Sequence, residues 1–177
     1  MLCSRVSLFL LALTIGFSAM GADWTPGYTY GAGYAYYRVE SDGEVQWGWD
    51  YNGDQKFEII QYVYPAPNRP QLSIFNYFDA GGAITSTIYQ ENADPKELVQ
   101  SAPGGVAMSR WQVGRGWIAD TTCNLGETKR YKEAKRMELV LNPNASSLEK
   151  KWLYGQFLRA QDFQRACETM VLNGQVR

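Results

Sequence analysis

Short runs rich in Tyr, Trp, Ile, Val and Thr, separated by Gly, Asn, Asp and Pro, fill the chain from Tyr28 to Leu141. Aromatic and β-branched residues fit a pleated, half-buried surface, and the separating residues are the ones that turns require. This pattern constrains the fold most, because it predicts antiparallel strands joined mainly by hairpins. We predict eight strands, at residues 28–39, 44–51, 56–64, 72–78, 84–90, 106–113, 117–122 and 137–141.

Alternation gives each of the first two predicted strands an aromatic face. The first strand has Tyr28, Tyr30, Tyr34 and Tyr36 opposite Gly31, Gly33 and Ala35, and the second has Val45, Trp47, Trp49 and Tyr51 opposite Glu44, Gln46, Gly48 and Asp50. The dipeptide Asn52-Gly53 predicts a type I′ turn after the second strand, since both central positions need φ > 0. The aromatic face either belongs to the core or is an exposed interface. In the second case the opposite face of the first strand, with Gly31, Gly33 and Ala35, would pack against a helix.

Two segments before the C-terminal region interrupt the strand pattern. Residues 91–105 contain a predicted helical turn at 95–99 and the flexible tripeptide Pro103-Gly104-Gly105, so they form a connector, a lid or a recognition loop. Residues 127–136 are rich in Lys and Arg, which predicts a solvated helical turn or loop, or a contact with an acidic partner or an anionic membrane surface.

The C-terminal region has the pattern of an amphipathic helix of roughly 25 residues. Ser146 and Glu149 form a capping box, and Asn173-Gly174 supplies the stop. Apolar residues recur at helical spacing between them, at Leu153, Phe157, Ala160, Phe163, Cys167, Met170 and Val171. We expect this apolar stripe to lie on the sheet.

The fold class that follows is mainly β, with one C-terminal α-helix. The strands form an antiparallel up-and-down barrel or a strongly curved meander sheet of about eight strands, and the long helix packs on it. This layout resembles that of lipocalin-like barrels, which implies a cavity for a small ligand. Their N-terminal Gly-x-Trp signature is not matched by Asp23-Trp24-Thr25-Pro26, so we assign no family.

The N-terminus has the pattern of a cleaved secretory signal peptide at residues 1–21. Arg5 precedes an apolar run of about ten residues, too short to span a bilayer, and small residues follow at Ala19 and Gly21. Residues 22–177 then form a single β-rich domain with a C-terminal helix, in a periplasmic or secreted protein whose mature chain has no transmembrane segment. Without Arg5, 16 basic side chains stand against 18 acidic ones, so we predict no nucleic-acid partner.

Removal of the signal peptide also removes Cys3 and leaves Cys123 and Cys167. An exported chain folds in an oxidising compartment, so a disulfide between these two residues is predicted. It would attach the C-terminal helix to the end of the seventh predicted strand.

The chain contains no histidine, which excludes Ser-His-Asp and Cys-His catalysis and histidine-ligated metals. The segment 50–61 begins like a calcium loop but has Gln55 and Gln61 where Gly and Glu are required. We therefore predict no catalytic residue, no cofactor and no metal. A carboxylate-dependent hydrolase remains as a minor alternative, with the acidic candidates Glu44, Asp50, Asp54, Glu58 and Asp79.

The remaining signal is the aromatic content, because Tyr and Trp provide rigid contact area with a polar handle. The predicted binding surface consists of Tyr28, Tyr30, Tyr34, Tyr36, Trp47, Trp49, Tyr51 and Arg69, the last on a stiff Pro-rich loop at 65–70. The leading hypothesis is a non-enzymatic binding protein that acts on another protein as an inhibitor, immunity or adhesion factor. The alternative is a lipocalin-like barrel that binds a small apolar or sugar ligand.

Overall fold

The computed structural model describes residues 23–66, 68–92, 96–102, 105–120 and 123–176. The predicted signal peptide, 1–21, lies outside these residues. Nine antiparallel strands form one sheet in chain order, followed by two helices. The elements are β1 Thr25–Tyr30, β2 Gly33–Val39, β3 Val45–Asp50, β4 Ile59–Tyr64, β5 Leu72–Phe78, β6 Ile84–Glu91, β7 Lys96–Ala102, β8 Gly105–Gln112, β9 Gly116–Ala119, α1 Leu125–Leu141 and α2 Ser147–Leu172.

The sheet is an open meander. Among the described residues β1 pairs only with β2 and β9 only with β8, so the two outer strands do not meet. The mainly β class and the C-terminal helix are confirmed, whereas the closed barrel is not.

The first predicted strand is in fact a hairpin. Tyr30 pairs with Gly33, so Gly31 and Ala32 form a two-residue turn between β1 and β2. Gly31 has a φ of 59°, in the left-handed region that glycine enters without steric cost. The prediction missed this turn because tyrosines continue on both sides of it.

The connection after β3 is longer than the predicted type I′ turn. β3 ends at Asp50 and β4 begins at Ile59, three residues later than expected. The intervening loop closes on the carboxylate of Asp50, which accepts hydrogen bonds from the amides of Gly53 at 2.7 Å and Gln55 at 3.0 Å. These side-chain bonds replace the backbone bonds of a tight turn.

Two further predictions are wrong. Residues 96–99 of the expected helical turn at 95–99 belong to strand β7, because pairing with both β6 and β8 outweighs local preference, and residue 95 lies outside the described residues. The expected strand at 137–141 is the last part of α1, which Asn124 caps by accepting from the amide of Glu127 at 3.1 Å. Strong helix formers fill α1, and the ion pairs Arg136–Glu133 and Lys135–Glu138 have helical spacing.

The core lies between the sheet and α2, which begins after Ser146 as predicted. Its buried members are Ala66, Leu72, Ile74, Tyr89, Val99, Trp152 and Leu153. Gly155 permits the close approach of helix and sheet, since a Cβ there would lie 2.7 Å from the Leu72 side chain. Burial of these apolar side chains stabilises the docked helix.

Ion pairs attach α2 to the sheet, and a disulfide attaches it to the segment between β9 and α1. Lys151 lies 2.7 Å from Glu44, and Arg159 lies 2.7 Å from Glu97. The predicted disulfide joins Cys123 and Cys167, whose Cα atoms are 5.5 Å apart. In the described part of the chain, neither helix has the length and apolar content needed to cross a membrane.

Candidate functional site

The strand register separates two faces of the sheet, because directly paired residues of neighbouring strands share a face. The row that α2 covers runs through Arg38, Gln46, Tyr62, Ile74, Tyr89, Glu97, Arg110 and Ile118, and we call this side the helix face. The next row runs through Tyr37, Trp47, Gln61, Phe75, Ile88, Leu98, Ser109 and Ala119, on what we call the open face. The contacts described above between α2 and the sheet involve the helix face.

Seven aromatic residues form a connected cluster on the open face at β1 to β5. Ring centroids lie 5.4 Å apart for Tyr37 and Trp47, 6.2 Å for Trp47 and Trp49, and 6.3 Å for Trp49 and Phe75. The indole Nε1 of Trp49 donates to the hydroxyl of Tyr28 at 3.4 Å. We call this cluster the aromatic platform, and its members are Tyr28, Tyr30, Tyr37, Trp47, Trp49, Tyr51 and Phe75.

The open face is also almost free of charge. Among the described strand residues that the register places on it, Lys96 is the one Lys, Arg, Asp or Glu. Lys96 lies 5.9 Å from the ring centroid of Trp111, which contacts Trp117 near the β9 edge. The open face therefore combines aromatic surface with few groups that are costly to desolvate.

The phenol groups of Tyr30 and Tyr51 in the platform are neutral at physiological pH. Partial burial raises the pKa of Tyr30 to about 12, with further contributions from Tyr51 and Glu58. Burial also raises the pKa of Tyr51. Neutral phenols can both donate and accept a hydrogen bond from a bound partner.

The structure brings together five residues of the predicted binding surface, namely Tyr28, Tyr30, Trp47, Trp49 and Tyr51. Tyr34 and Tyr36 pair with Asp50 and Gly48 and so lie on the helix face. The turn at Gly31 shifts the alternation, and the predicted single tyrosine face is therefore wrong.

Arg69 contacts α2 instead of the aromatic platform. Its guanidinium is 3.0 Å from Glu149 and 4.8 Å from the ring centroid of Trp152. The loop also accepts a hydrogen bond at the carbonyl of Pro70 from the Trp152 indole, at 2.8 Å. These contacts dock the N-terminal part of α2.

The prediction missed Tyr37 and Phe75, which are central to the platform. A single strand over residues 28–39 places Tyr37 on the face opposite the other tyrosines. The turn at Gly31 changes the alternation and places Tyr37 on the open face with Tyr28. A glycine between two tyrosine runs was the signal available for that turn. Phe75 lies on the same face as Trp47, but this can be recognised only when the register of β3, β4 and β5 is known.

Three carboxylates approach one another in the loop after β3. Asp50, Asp54 and Glu58 each have an oxygen within 4.8 Å of the others, so this is the group among the described residues that could offer ligands to a cation. Glu58 accepts from the amide of Tyr51 and from Asn52, both at 2.7 Å. These bonds and those to Asp50 stabilise the loop, which explains the cluster without a metal.

The other acidic candidates also have local structural roles. Glu44 pairs with Lys151, and Asp79 accepts from the amides of Gly81 at 2.8 Å and Ala83 at 2.9 Å in the β5–β6 turn. Each of these carboxylates therefore forms hydrogen bonds or an ion pair within the fold.

Comparisons with known proteins found no matching family model, no similar curated sequence and no similar solved structure.

Proposed function

We propose that this protein is an exported, non-enzymatic binding protein that recognises another protein through the open face of its sheet. The observation that carries the proposal is a sheet face whose described strand residues are rich in aromatic side chains and nearly uncharged, and which lies opposite the face on which α2 forms its ion pairs. Depletion of charge with enrichment of Tyr, Trp and Phe is typical of the centre of protein interfaces.

The dimensions of the open face suit a protein partner. Nine strands at the usual spacing span about 40 Å, and strands of this length extend about 20 Å, which gives about 800 Å². A standard protein interface buries about 800 Å² on each side. A small ligand would cover a minor part of this area.

The platform residues fit the role of binding anchors. Trp47 and Trp49 stack at an interplanar angle of 28°, and their contacts with Tyr37 and Phe75 restrict the ring positions. Rigid aromatic anchors lose little conformational entropy on binding and often dominate the binding energy.

Export and the lack of catalysis are supported by separate observations. The leader pattern at residues 1–21 and the bond between Cys123 and Cys167 fit an oxidising compartment. The absence of histidine from the sequence removes the commonest general base, and the acidic candidates stabilise loops and helix contacts.

Photo-crosslinking in the exported fraction of the host tests the proposal. A benzoylphenylalanine placed at Phe75 probes the open face, and the same group at Tyr34, an exposed aromatic position on the helix face, is the matched control. We expect one discrete adduct with another protein from position 75 and none from position 34. Trp47→Ala should reduce the yield of this adduct at least tenfold.

Equal labelling from both positions, an adduct only between two copies of this chain, or no adduct from position 75 would each contradict the proposal. Circular dichroism and the thermal midpoint of each variant show that the compared proteins are folded.

A further inference from the structure

A groove on the helix face lies beside α2, over strands β4 to β7, and has a volume of about 520 Å³. The sheet contributes the buried side chains of Ile74 and Val99, which form an apolar floor, together with Tyr62 and Tyr64. Helix α2 contributes Tyr154 and Leu158 to the lining. This volume is in the range of small-ligand sites, and the groove is separate from the open face.

Several polar groups of the groove have no protein partner. Within the described ranges, the hydroxyls of Tyr62 and Tyr64 make no hydrogen bond, and neither does the side-chain nitrogen of Asn76. The side-chain oxygen of Asn76 accepts from Thr87 at 3.1 Å, which fixes the direction of the amide. The groove therefore presents oriented donors and acceptors above an apolar floor.

The groove offers no net charge to a ligand. Its charged members, Asp162 and Arg165, pair with each other at 3.0 Å, and Asp162 also accepts from the Tyr89 hydroxyl. Burial, and then the nearby charge of Glu44, raises the pKa of both Tyr62 and Tyr64, so their hydroxyls are neutral.

These features discriminate between ligand classes. A hydrocarbon chain would desolvate the hydroxyls and the amide without replacing their hydrogen bonds, which is costly. An anion or a cation would find no unpaired countercharge. A neutral sugar has apolar C–H faces that pack on tyrosine rings and hydroxyls that exchange hydrogen bonds with such groups.

We propose that this groove binds a short neutral saccharide, with the rings of Tyr62, Tyr64 and Tyr154 as packing surfaces and Asn76 as a hydrogen-bonding group. The site is distinct from the protein-binding face, and either proposal can fail without the other.

Nuclear magnetic resonance titration of the isotope-labelled, disulfide-bonded chain tests this site. The probes are maltotriose, cellotriose and triacetylchitotriose at millimolar concentration, with trigalacturonic acid as the charged counterpart. We expect at least one neutral probe to shift amides of β4 to β7 and the side-chain amide of Asn76. The double variant Tyr62→Phe/Tyr64→Phe should weaken that binding about tenfold, since it removes two hydrogen bonds. Tyr34→Phe, an exposed position outside both the groove and the aromatic platform, is the matched control and should leave the affinity unchanged.

Four results would overturn the inference: no shift with any neutral probe, wild-type affinity in the double variant, equal binding of the charged probe, or shifts confined to β1 to β3. The unshifted resonances of the double variant show that it is folded.

Discussion

The helix face and the open face belong to one sheet, yet both depart from the usual division of an antiparallel sheet, in which charged groups lie on the solvent side and apolar groups in the core. On the helix face, charged residues are buried, and Glu44 and Glu97 are only 4% and 5% exposed. Lys151 and Arg159 of α2 neutralise them. On the open face, Trp47 and Phe75 have no helix over them. Alternation of side chains along a strand therefore identifies the two faces of the sheet but does not tell which of them a helix covers.

The largest expected effect concerns the disulfide that holds α2 on the helix face. Its sequence separation is 44 residues, and closing a loop of this length is worth about 4 kcal/mol in the chain-entropy model. Cys123→Ala/Cys167→Ala should lower the free energy of unfolding by about this amount, as measured in urea. Reductant should reproduce the loss in the wild type and have no effect on the double variant. A loss below about 1 kcal/mol would show that packing alone holds the helix.

A pair of tryptophans compares the two faces directly. Trp152 is 5% exposed against the sheet, so Trp152→Ala should cost about 3 kcal/mol through lost packing and a cavity. Trp47→Ala on the open face should cost about 1 kcal/mol, because solvent already reaches that side chain. Urea unfolding of both variants measures the difference. Equal losses would mean that the open face is covered in solution.

Asp50 provides a test of a buried carboxyl group at the end of β3, on the helix face. Asp50 is 1% exposed and accepts two backbone hydrogen bonds, so Asp50→Ala should cost about 2 kcal/mol. Asp54→Ala in the same exposed loop is the matched control and should cost about 0.5 kcal/mol. The thermal midpoint with calcium or with a chelator should be the same, since the hydrogen bonds account for the loop. A calcium-dependent rise of several degrees would contradict this explanation.

The smallest expected effect is a pH dependence at the start of α2. Hydrogen bonds from Lys151 and Ser147 lower the pKa of Asp42 from 3.8 to about 2. A lowered folded-state pKa stabilises the protein above about pH 4, and this contribution is lost as the pH falls towards about 2. Asp42→Asn should flatten this part of the curve of thermal midpoint against pH. Parallel curves for the wild type and Asp42→Asn would exclude a contribution from this residue.

Sequence predicted the parts of the fold that local chemistry determines. The cap at Ser146 and the strands at residues 72–78 and 84–90 follow from local side-chain patterns and are confirmed. Of the predicted apolar stripe of α2, Leu153, Ala160, Cys167 and Met170 are buried, whereas Val171 is exposed. The pairing of Cys123 with Cys167 followed from there being two cysteines after residue 21.

The parts of the fold that were not predicted from the sequence depend on long-range contacts or on a single turn. β7 is a strand because two neighbours pair with it, and the apolar residues 137, 139 and 141 suit either a strand or the end of a helix. One unrecognised turn at Gly31 put Tyr34 and Tyr36 on the wrong face and hid Tyr37. Whether the sheet closes, and which of its faces α2 covers, depend on packing between residues that are distant in sequence. A short segment of sequence therefore does not predict them.

Hydroxyl-radical footprinting of the disulfide-bonded chain, alone and with its cross-linked partner, tests the central claim most directly. The account predicts rapid oxidation of Trp47, Trp49 and Phe75 in the free protein, slow oxidation of Trp152, and protection of the first three when the partner is bound. Oxidation of Trp47 as slow as that of Trp152 in the free protein, or no protection by the partner, would contradict the assignment of the open face as the recognition surface.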